Sequence, residues 1–138
     1  MKTIVSFIIL IIGSHISAQS IKAKDQYGEN VAYIGGNEFK AKNLYSKVLY
    51  YFDGQQIHQQ NKYGEVLYFL DGNEVKLNDQ YGKSVLYFDG AKIRKRNKYG
   101  EVLYYLDGKT LRYDNQYGKA VYYFEGVPKQ WIIVCLIR

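Results

Sequence analysis

The chain has 138 residues and a formal net charge of +6, and 47% of its residues are hydrophobic. This length suits one domain, and the single cysteine, Cys135, excludes an internal disulfide framework. The balance of charge is only mildly basic, so it does not by itself indicate a nucleic-acid partner.

The first 18 residues differ in character from the rest of the chain. A lysine precedes the apolar stretch 4–12, and small or polar residues then lead to Ala18. This is the pattern of a secretory signal peptide, and we expect cleavage after Ala18. The apolar stretch is short for a membrane-spanning helix, and an uncleaved anchor is the alternative. Residues 19–138 then form one secreted domain without a membrane span, in the periplasm, at the cell surface or outside the cell.

From residue 25 onward the sequence repeats every 18 residues without a gap. The six repeats span 25–42, 43–60, 61–78, 79–96, 97–114 and 115–132. With positions numbered 1 to 18 in each repeat, position 3 is always Tyr, position 7 is branched aliphatic, position 9 is Tyr or Phe and position 12 is Gly. Position 4 is Gly everywhere except at Ser46. Recurrence this strict indicates a repeat architecture.

Each repeat has the pattern of a β-hairpin. In repeat 97–114 the run 101–106 is rich in β-branched and aromatic residues, and 109–113 alternates apolar with polar residues. A single hairpin cannot offset its own ordering entropy, so neighbouring repeats must share a core. The sequence therefore predicts an all-β domain of tandem hairpins in a flower-like or solenoid antiparallel array.

Two turns bracket the strands of each repeat. Asp107-Gly108 predicts a type I′ hairpin turn, because glycine supplies the second positive φ without steric cost. The segment from Asn97 to Gly100 predicts a type I turn that leads into the next strand, with its glycine in the left-handed conformation of a G1 bulge.

A second period doubles the first. Position 5 alternates between Glu and Lys, and position 10 alternates between aliphatic residues and Phe, so the larger unit has 36 residues and occurs three times. If equivalent strands of neighbouring repeats lie close, opposite charges face each other there. The position 5 residues are Glu29, Lys47, Glu65, Lys83, Glu101 and Lys119.

Positions 7 and 9 share one face of the first strand, and we expect that face to form the core. Position 8 then points the other way, and four repeats carry a tyrosine there. This tyrosine ladder is buried in a second layer, which we favour, or exposed as an aromatic strip that binds a ligand such as a glycan. The ladder consists of Tyr50, Tyr68, Tyr104 and Tyr122.

The last repeat departs from the template after Gly126. Pro128 removes a backbone donor from the return strand, which predicts a bulge, an edge or a break. The run 130–137 is apolar at nearly every position, and we expect a terminal strand there that caps the array. Cys135 lies in this run and is expected to be a buried small hydrophobe rather than a reactive thiol.

Two segments carry a family resemblance. The sequences YGENVAYIGG (27–36) and YGKAVYYFEG (117–126) resemble the short repeats of four-fold β-flower proteins, in which small hairpins surround a central axis. The pattern of Tyr-Gly pairs is also similar to MORN, YD-type and choline-binding repeats, although these repeats lack the paired tryptophans of the last group. A flower-like assembly implies no catalytic residues.

The residues themselves offer no catalytic constellation either. His58 stands among polar neighbours on a return strand and is expected to be solvated, since no cysteine or second histidine can join it in a metal site. Aspartates precede the hairpin glycine in four repeats, and a role in the turn explains them better than calcium binding. These are Asp53, Asp71, Asp89 and Asp107. We expect no enzyme activity, no metal and no cofactor.

One basic cluster is a further candidate site, for phosphate, an anionic glycan or a lipid surface. A charged, solvated return strand is the alternative explanation of the cluster. Its members are Lys92, Arg94, Lys95, Arg96 and Lys98.

The sequence therefore predicts a secreted structural or protein-interaction module at the cell surface or in the extracytoplasmic space, and leaves open whether its partner is another protein or a surface glycan. A glycan-binding module that uses the tyrosine ladder is the second hypothesis. A binder of anionic surfaces or nucleic acid, through the basic cluster, ranks third.

Overall fold

The computed structural model describes residues 18–138, so the predicted signal peptide lies outside the described residues apart from Ala18. Twelve strands and one helix form in this part of the chain. They are β1 Ala18–Ala23, β2 Asn30–Gly35, β3 Glu38–Lys40, β4 Val48–Phe52, β5 Gln56–Gln59, β6 Val66–Asp71, β7 Glu74–Leu77, β8 Ser84–Asp89, β9 Lys92–Lys95, β10 Val102–Asp107, β11 Thr110–Tyr113, β12 Ala120–Phe124 and α1 Gln130–Ile137. Within residues 18–138, no helix has the length and apolar character needed to cross a membrane.

The strands form one closed antiparallel barrel. Each strand pairs with the strands before and after it in the chain, and β12 pairs with β1. The predicted all-β architecture of hairpin repeats is confirmed, and the array is closed, which leaves no free sheet edge. All hairpin turns lie at one end of the barrel, here called the tip end, and all Tyr-Gly turns lie at the other.

The sixth hairpin is assembled from the two ends of the chain. Phe124 pairs with Ile21 and Tyr122 pairs with Ala23, in the register that the return strand takes in the other repeats. We call the pairing of β12 with β1 the barrel seam. Two side chains form hydrogen bonds across it: Glu125 Oε1 accepts the Ser20 N–H at 2.8 Å, and Gln19 Oε1 accepts the Gly126 N–H at 3.3 Å. The place expected for the return strand of repeat 115–132 is therefore occupied by β1.

The prediction of a terminal strand at 130–137 is wrong, because these residues form helix α1. Their β-branched and aromatic side chains favour a strand, but the closed barrel offers no edge for them to join. A chain that enters an apolar interior must satisfy its own backbone N–H and C=O groups. A helix does so within one segment, and this requirement overrides the local propensity.

Helix α1 lies inside the barrel. The five consecutive residues 131–135 are all buried, and at 3.6 residues per turn they point to every side of the helix. The Trp131 ring stacks on Phe52 of β4, with ring centroids 5.1 Å apart and planes 10° from parallel. The barrel wall therefore surrounds the helix. Cys135 is buried, as predicted.

The core face of the first strands is only partly the one predicted, because position 7 residues such as Leu103 pack against the core but the position 9 residues do not. Buried side chains come from positions 8, 10 and 15, such as Leu86, Leu70 and Leu111, whereas the position 9 aromatics face outward. Each first strand carries a bulge: Ile93 pairs with Tyr104 and Arg94 with Val102, which leaves position 7 between them without a partner. The bulge shifts the alternation by one residue.

The type I′ hairpin turn is wrong, and so is the left-handed conformation predicted for the glycine of the Tyr-Gly turn, although the predicted turn over Asn97–Gly100 forms and is closed by the Gly100 N–H donating to the Asn97 carbonyl. Asp107 pairs with Thr110, so the loop is Gly108 and the residue after it, and φ is positive only at Gly108, as in a type II′ rather than a type I′ turn. In the Tyr-Gly turn the left-handed residue is Arg96, with φ of 65°, and not Gly100. Gly100 is required because an added Cβ would lie 1.7 Å from the carbonyl oxygen of Lys95.

Candidate functional site

The Tyr-Gly turns form a regular surface at the end of the barrel opposite the tips. Each turn places its position 3 tyrosine on the perimeter of this end, so six tyrosines follow one another around the barrel axis. We call them the rim tyrosines: Tyr27, Tyr45, Tyr63, Tyr81, Tyr99 and Tyr117.

Hydrogen bonds fix the backbone under each rim tyrosine. In repeat 97–114, Asn97 Oδ1 accepts the Tyr99 N–H at 2.9 Å, and the Asn97 carbonyl accepts the Gly100 N–H at 2.9 Å. The side-chain bond recurs in every repeat at 2.8–2.9 Å. Such Asx turns hold the chain without any contribution from the tyrosine ring. The ring is therefore carried on a rigid support.

The rim tyrosines are almost fully exposed, with 84–91% of their surface accessible. Among residues 18–138, none of their hydroxyl groups takes part in a hydrogen bond to protein. Exposed apolar side chains that gather on one surface mark interaction sites. Because the turn needs only the residues at positions 1 and 4, the recurrence of tyrosine at position 3 has no explanation inside the fold.

Basic residues flank one sector of the rim. Lys62 Nζ lies 5.2 Å from the centre of the Tyr63 ring, and Lys98 Nζ lies 5.3 Å from that of Tyr99, within range of a cation–π attraction. A cleft of about 340 Å³ opens beside Tyr99. Its wall consists of Lys95, Arg96, Asn97, Tyr99, Gly100 and Glu101.

The structure divides the predicted basic cluster between the two ends of the barrel. The backbone of Lys92 pairs with that of Asp89 next to a hairpin tip. The guanidinium of Arg94 is used in hydrogen bonds within the protein, because Nε donates to Asp89 Oδ2 at 2.9 Å and Nη1 donates to the Gly100 carbonyl at 3.0 Å. The remaining members, Lys95, Arg96 and Lys98, stand beside Tyr99.

The tyrosine ladder faces the interior. Tyr50, Tyr68, Tyr104 and Tyr122 are half-buried and pack against the core, so they are buried as favoured above, but in the one core of the barrel and not in a second layer. Burial raises the pKa of Tyr50 and of Tyr104 above the ordinary value of 10.0. The ladder is therefore part of the lining of the barrel and does not form an exposed strip.

Position 16 carries a side chain that links a hairpin tip to the next Tyr-Gly turn in the four repeats between residues 43 and 114. Lys76 Nζ donates to Asp71 at the hairpin tip at 3.0 Å and to the Gln80 carbonyl of the next Tyr-Gly turn at 3.1 Å. Arg94 and Arg112 make the same two kinds of contact. The aspartates stand in the hairpin tips as expected, and they also hold these cations.

His58 takes the cation's place in repeat 43–60, and the expectation that it is solvated is wrong. Its side chain is buried, Nδ1 donates to the Gly64 carbonyl at 2.9 Å, and Nε2 lies 2.8 Å from Asp53 Oδ2. Both ring nitrogens face acceptors, so the imidazolium fits this site best. The hydrogen bonds to Gly64 and Asp53 raise the pKa of His58 above 6.5.

Stability should depend on pH through this pair. Because the pKa of His58 is raised in the folded state, its contribution is complete below pH 6.5 and is lost as pH rises through the folded-state pKa. Hydrogen bonds from Gln56, His58 and Gln55 lower the pKa of Asp53 below 3.8 despite burial, so its contribution is lost only as pH falls through that lower pKa. We expect the free energy of unfolding in urea to decrease from pH 6 to pH 9.

The matched control is His58→Lys, which restores the residue type of the neighbouring repeats. This variant keeps its charge across the range, so its unfolding free energy should be flatter between pH 6 and pH 9 than that of the wild type. Equal slopes for the two proteins would contradict the assignment of His58 as a charged link.

The alternating charges at position 5 do not pair with one another. No ion pair among residues 18–138 involves Glu29, Lys47 or their equivalents. A return strand separates equivalent first strands, so these lie about 10 Å apart, at twice the strand spacing. The expected pairing between neighbouring repeats is therefore not formed.

A second cleft, of about 260 Å³, lies at the tip end where the chain enters the barrel. Hairpin residues Asn37 and Asp53 form one wall, and Lys129 and Trp131 form the other. Asp53 is already occupied by His58 and by the backbone N–H groups of its own turn. The rim is the larger and more regular of the two surfaces.

The comparisons with known proteins agree with this geometry. The model of the 6-fold beta flower protein family matches residues 21–134. The chain belongs to the 6-fold beta flower family. The resemblance to β-flower repeats is therefore confirmed, with six hairpins around the axis instead of four. No match was found among curated proteins or among solved structures.

The sequence already held a signal for the rim of this 6-fold beta flower. Position 3 is Tyr in all six repeats, as strictly kept as the hairpin glycine. Asparagine or aspartate at position 1 and glycine at position 4 are explained by the turn, but tyrosine is not. A residue that recurs without a structural reason is a candidate for binding.

Proposed function

We propose that this 6-fold beta flower is an exported, non-enzymatic protein-interaction module that binds a partner protein through its rim tyrosines. One observation carries the proposal: six tyrosines on hydrogen-bonded turns are 84–91% exposed, so none of their rings is part of the buried core. Tyrosine is enriched in protein interfaces because its ring is apolar and its hydroxyl can still find a hydrogen bond.

The size of the rim favours a protein over a small ligand. A tyrosine buries about 150–250 Å², so six tyrosines at this exposure offer about 800–1,300 Å² of contact surface. A standard protein interface takes about 800 Å² from each partner, so the summed tyrosine surface is of the size that a protein partner covers. A single sugar residue would leave most of the rim exposed.

The rim also requires little ordering when it binds. The Asx turns hold each tyrosine backbone before any partner arrives, and a tyrosine side chain has only two torsions to fix. Binding therefore forfeits less conformational entropy than it would on a mobile loop. This is the property that antibody binding loops obtain from the same residue.

The reactive side chains support a role without catalysis. Both ring nitrogens of His58 are occupied by Asp53 and Gly64. The thiol of Cys135 is buried, and burial raises its pKa well above the ordinary value of 9.0, which disfavours the nucleophilic thiolate. These groups serve the fold and are not free for chemistry.

Export is supported by the sequence of residues 1–18, which has the composition of a signal peptide. Cleavage after Ala18 would leave β1 with all but its first residue. The barrel seam, which depends on Gln19, Ser20 and Ile21, would remain intact in the processed protein.

A triple replacement tests the rim. Tyr63→Ser, Tyr81→Ser and Tyr99→Ser should each change the free energy of unfolding by less than about 0.5 kcal/mol, as is usual at exposed positions. Immobilised wild-type protein should retain a partner protein from the extracellular fraction, and mass spectrometry identifies that partner. The immobilised triple variant should not retain it.

The matched control replaces three outward-facing tyrosines in the middle of the barrel wall: Tyr33→Ser, Tyr87→Ser and Tyr105→Ser. This variant should keep the partner. Equal capture by the rim variant and the wild type would contradict the proposal. Binding of a glycan array by wild type, lost in the rim variant, would replace the protein partner with a carbohydrate.

A further inference from the structure

The position 5 side chains form a ring of alternating charge at the rim end. All six are exposed, each stands two residues after a rim tyrosine, and Glu alternates with Lys around the axis. Glu101 and Tyr99 line the same cleft, so the charged ring and the tyrosines belong to one surface. Among the described residues, no ion pair within the barrel uses these charges.

A ring that alternates in this way is complementary to itself. Suppose that a second copy faces the first, related by a twofold axis that lies in the contact plane and passes between two neighbouring repeats. Each repeat with Glu at position 5 then meets a repeat of the other copy that has Lys at position 5. Every Glu of one ring then faces a Lys of the other, and every rim tyrosine faces a rim tyrosine. Such a contact is isologous and closes after two copies.

We propose that the partner of the rim is a second copy of this chain, docked rim to rim with its Glu and Lys side chains in alternate register. This inference rests on the proposed function and names the partner. The combined contact surface of two rims is about twice that given above, and it falls in the range of stable protein interfaces. The charges fix the rotation of one barrel against the other more than they add affinity.

The remaining charges of the Tyr-Gly turns oppose association weakly. Basic residues outnumber acidic ones there, so two rims carry the same net sign. These charges are exposed, and at physiological ionic strength they are screened beyond about 8 Å. They are Lys24, Lys42, Lys62, Arg96 and Lys98 against Asp25, Asp79 and Asp114.

Charge reversal in two complementary variants tests the proposal with the full chain. One variant carries an all-acidic ring, Lys47→Glu, Lys83→Glu and Lys119→Glu, and the other an all-basic ring, Glu29→Lys, Glu65→Lys and Glu101→Lys. Sedimentation equilibrium should give a dimer for the wild type. Each variant alone should associate at least tenfold more weakly, and an equimolar mixture of the two should regain the dimer.

A control with the same change of charge at the tip end guards against an effect of net charge. Lys92→Glu, Lys109→Glu and Lys129→Glu replace three exposed lysines there, and this variant should dimerise like the wild type. Thermal unfolding of all four proteins shows whether each is folded.

A monomeric wild type, unchanged association of either ring variant, or folded ring variants that fail to associate when mixed would each overturn the proposal. The proposed function has a separate outcome. If the wild type is monomeric and the rim tyrosines are still needed to capture another protein, the interaction module stands and the second copy is excluded as its partner.

Discussion

Trp131→Ala is expected to lower the free energy of unfolding by about 3–5 kcal/mol, the range found for large aromatic side chains removed from a core. Trp131 is buried in the barrel and stacks on Phe52 at 5.1 Å. Its removal leaves a cavity between the helix and the wall, which a closed sheet cannot collapse to fill. Urea unfolding followed by far-UV circular dichroism measures the change.

Val127→Ala is the matched control, four residues earlier in the same segment. Val127 is exposed, so its truncation should alter the free energy of unfolding by less than about 0.5 kcal/mol. A cost below about 1 kcal/mol for Trp131→Ala would contradict the placement of α1 inside the barrel, since a helix on the outer surface is far less sensitive to such a change.

Gly100→Ala is expected to destabilise the protein by about 3–5 kcal/mol. The added Cβ would lie 1.7 Å from the Lys95 carbonyl oxygen, with backbone on both sides of the contact. The turn must open, which disrupts the Lys95–Glu101 and Gly100–Asn97 backbone hydrogen bonds, each worth about 1 kcal/mol, and adds backbone strain of about 1–3 kcal/mol. Thermal and urea unfolding measure the loss.

The control for this change is Gly126→Ala. No heavy atom lies within 4 Å of a Cβ added there, and φ is not in the left-handed region. We expect a gain in the free energy of unfolding of about 0.4–1 kcal/mol, because alanine restricts the unfolded chain. If the Gly100→Ala and Gly126→Ala variants had equal free energies of unfolding, position 4 would not require glycine.

Ser46 shows how one repeat manages without this glycine. The Ser46 hydroxyl accepts the Asn43 N–H at 3.1 Å and donates to Asn43 Oδ1 at 3.3 Å. The φ angle of Lys42 is not positive, unlike that of the equivalent Arg96. The turn therefore has another backbone shape in repeat 43–60. Its rim tyrosine, Tyr45, is nonetheless 91% exposed, so the position of the ring survives the change.

The hairpins were predictable because their signals are local. The strand predicted at 101–106 is β10 Val102–Asp107, and the return strand predicted at 109–113 is β11 Thr110–Tyr113. Alternation and turn residues act over a few residues, so a repeat of 18 residues contains all the information needed to form them.

Position 9 was wrongly predicted to be buried because both faces of the first strand are apolar. Positions 7 and 9 carry residues such as Leu103 and Tyr105, and positions 8 and 10 carry Tyr104 and Leu106. The alternation of residues therefore does not show which face of the strand is buried. In addition, a bulge at position 7 shifts the alternation by one residue. Only the pairing with the neighbouring strand shows which face points inward.

The helix was mispredicted because its cause lies at the other end of the chain. Residues 130–137 have the composition of a strand, and they become a helix because β1 has closed the barrel and filled the last place in the sheet. The same closure hides the role of residues 18–23, which precede the first full repeat. No local rule connects segments more than a hundred residues apart.

The candidate site was only partly predictable. The ladder was correctly placed in the protein interior, but attention to position 8 missed the rim at position 3. His58 was misjudged because its neighbours in sequence are polar, whereas its partners are Asp53 and Gly64, brought to it by the hairpin and the following turn.

Hydroxyl-radical footprinting of the full chain at rising protein concentration tests the central claim most directly. We predict that the six rim tyrosines are oxidised fastest in dilute solution and become protected together as the concentration rises. The ladder tyrosines should react slowly throughout. Rim tyrosines that react no faster than the ladder when dilute, or that stay equally reactive at every concentration, would contradict a rim built for association with a second copy.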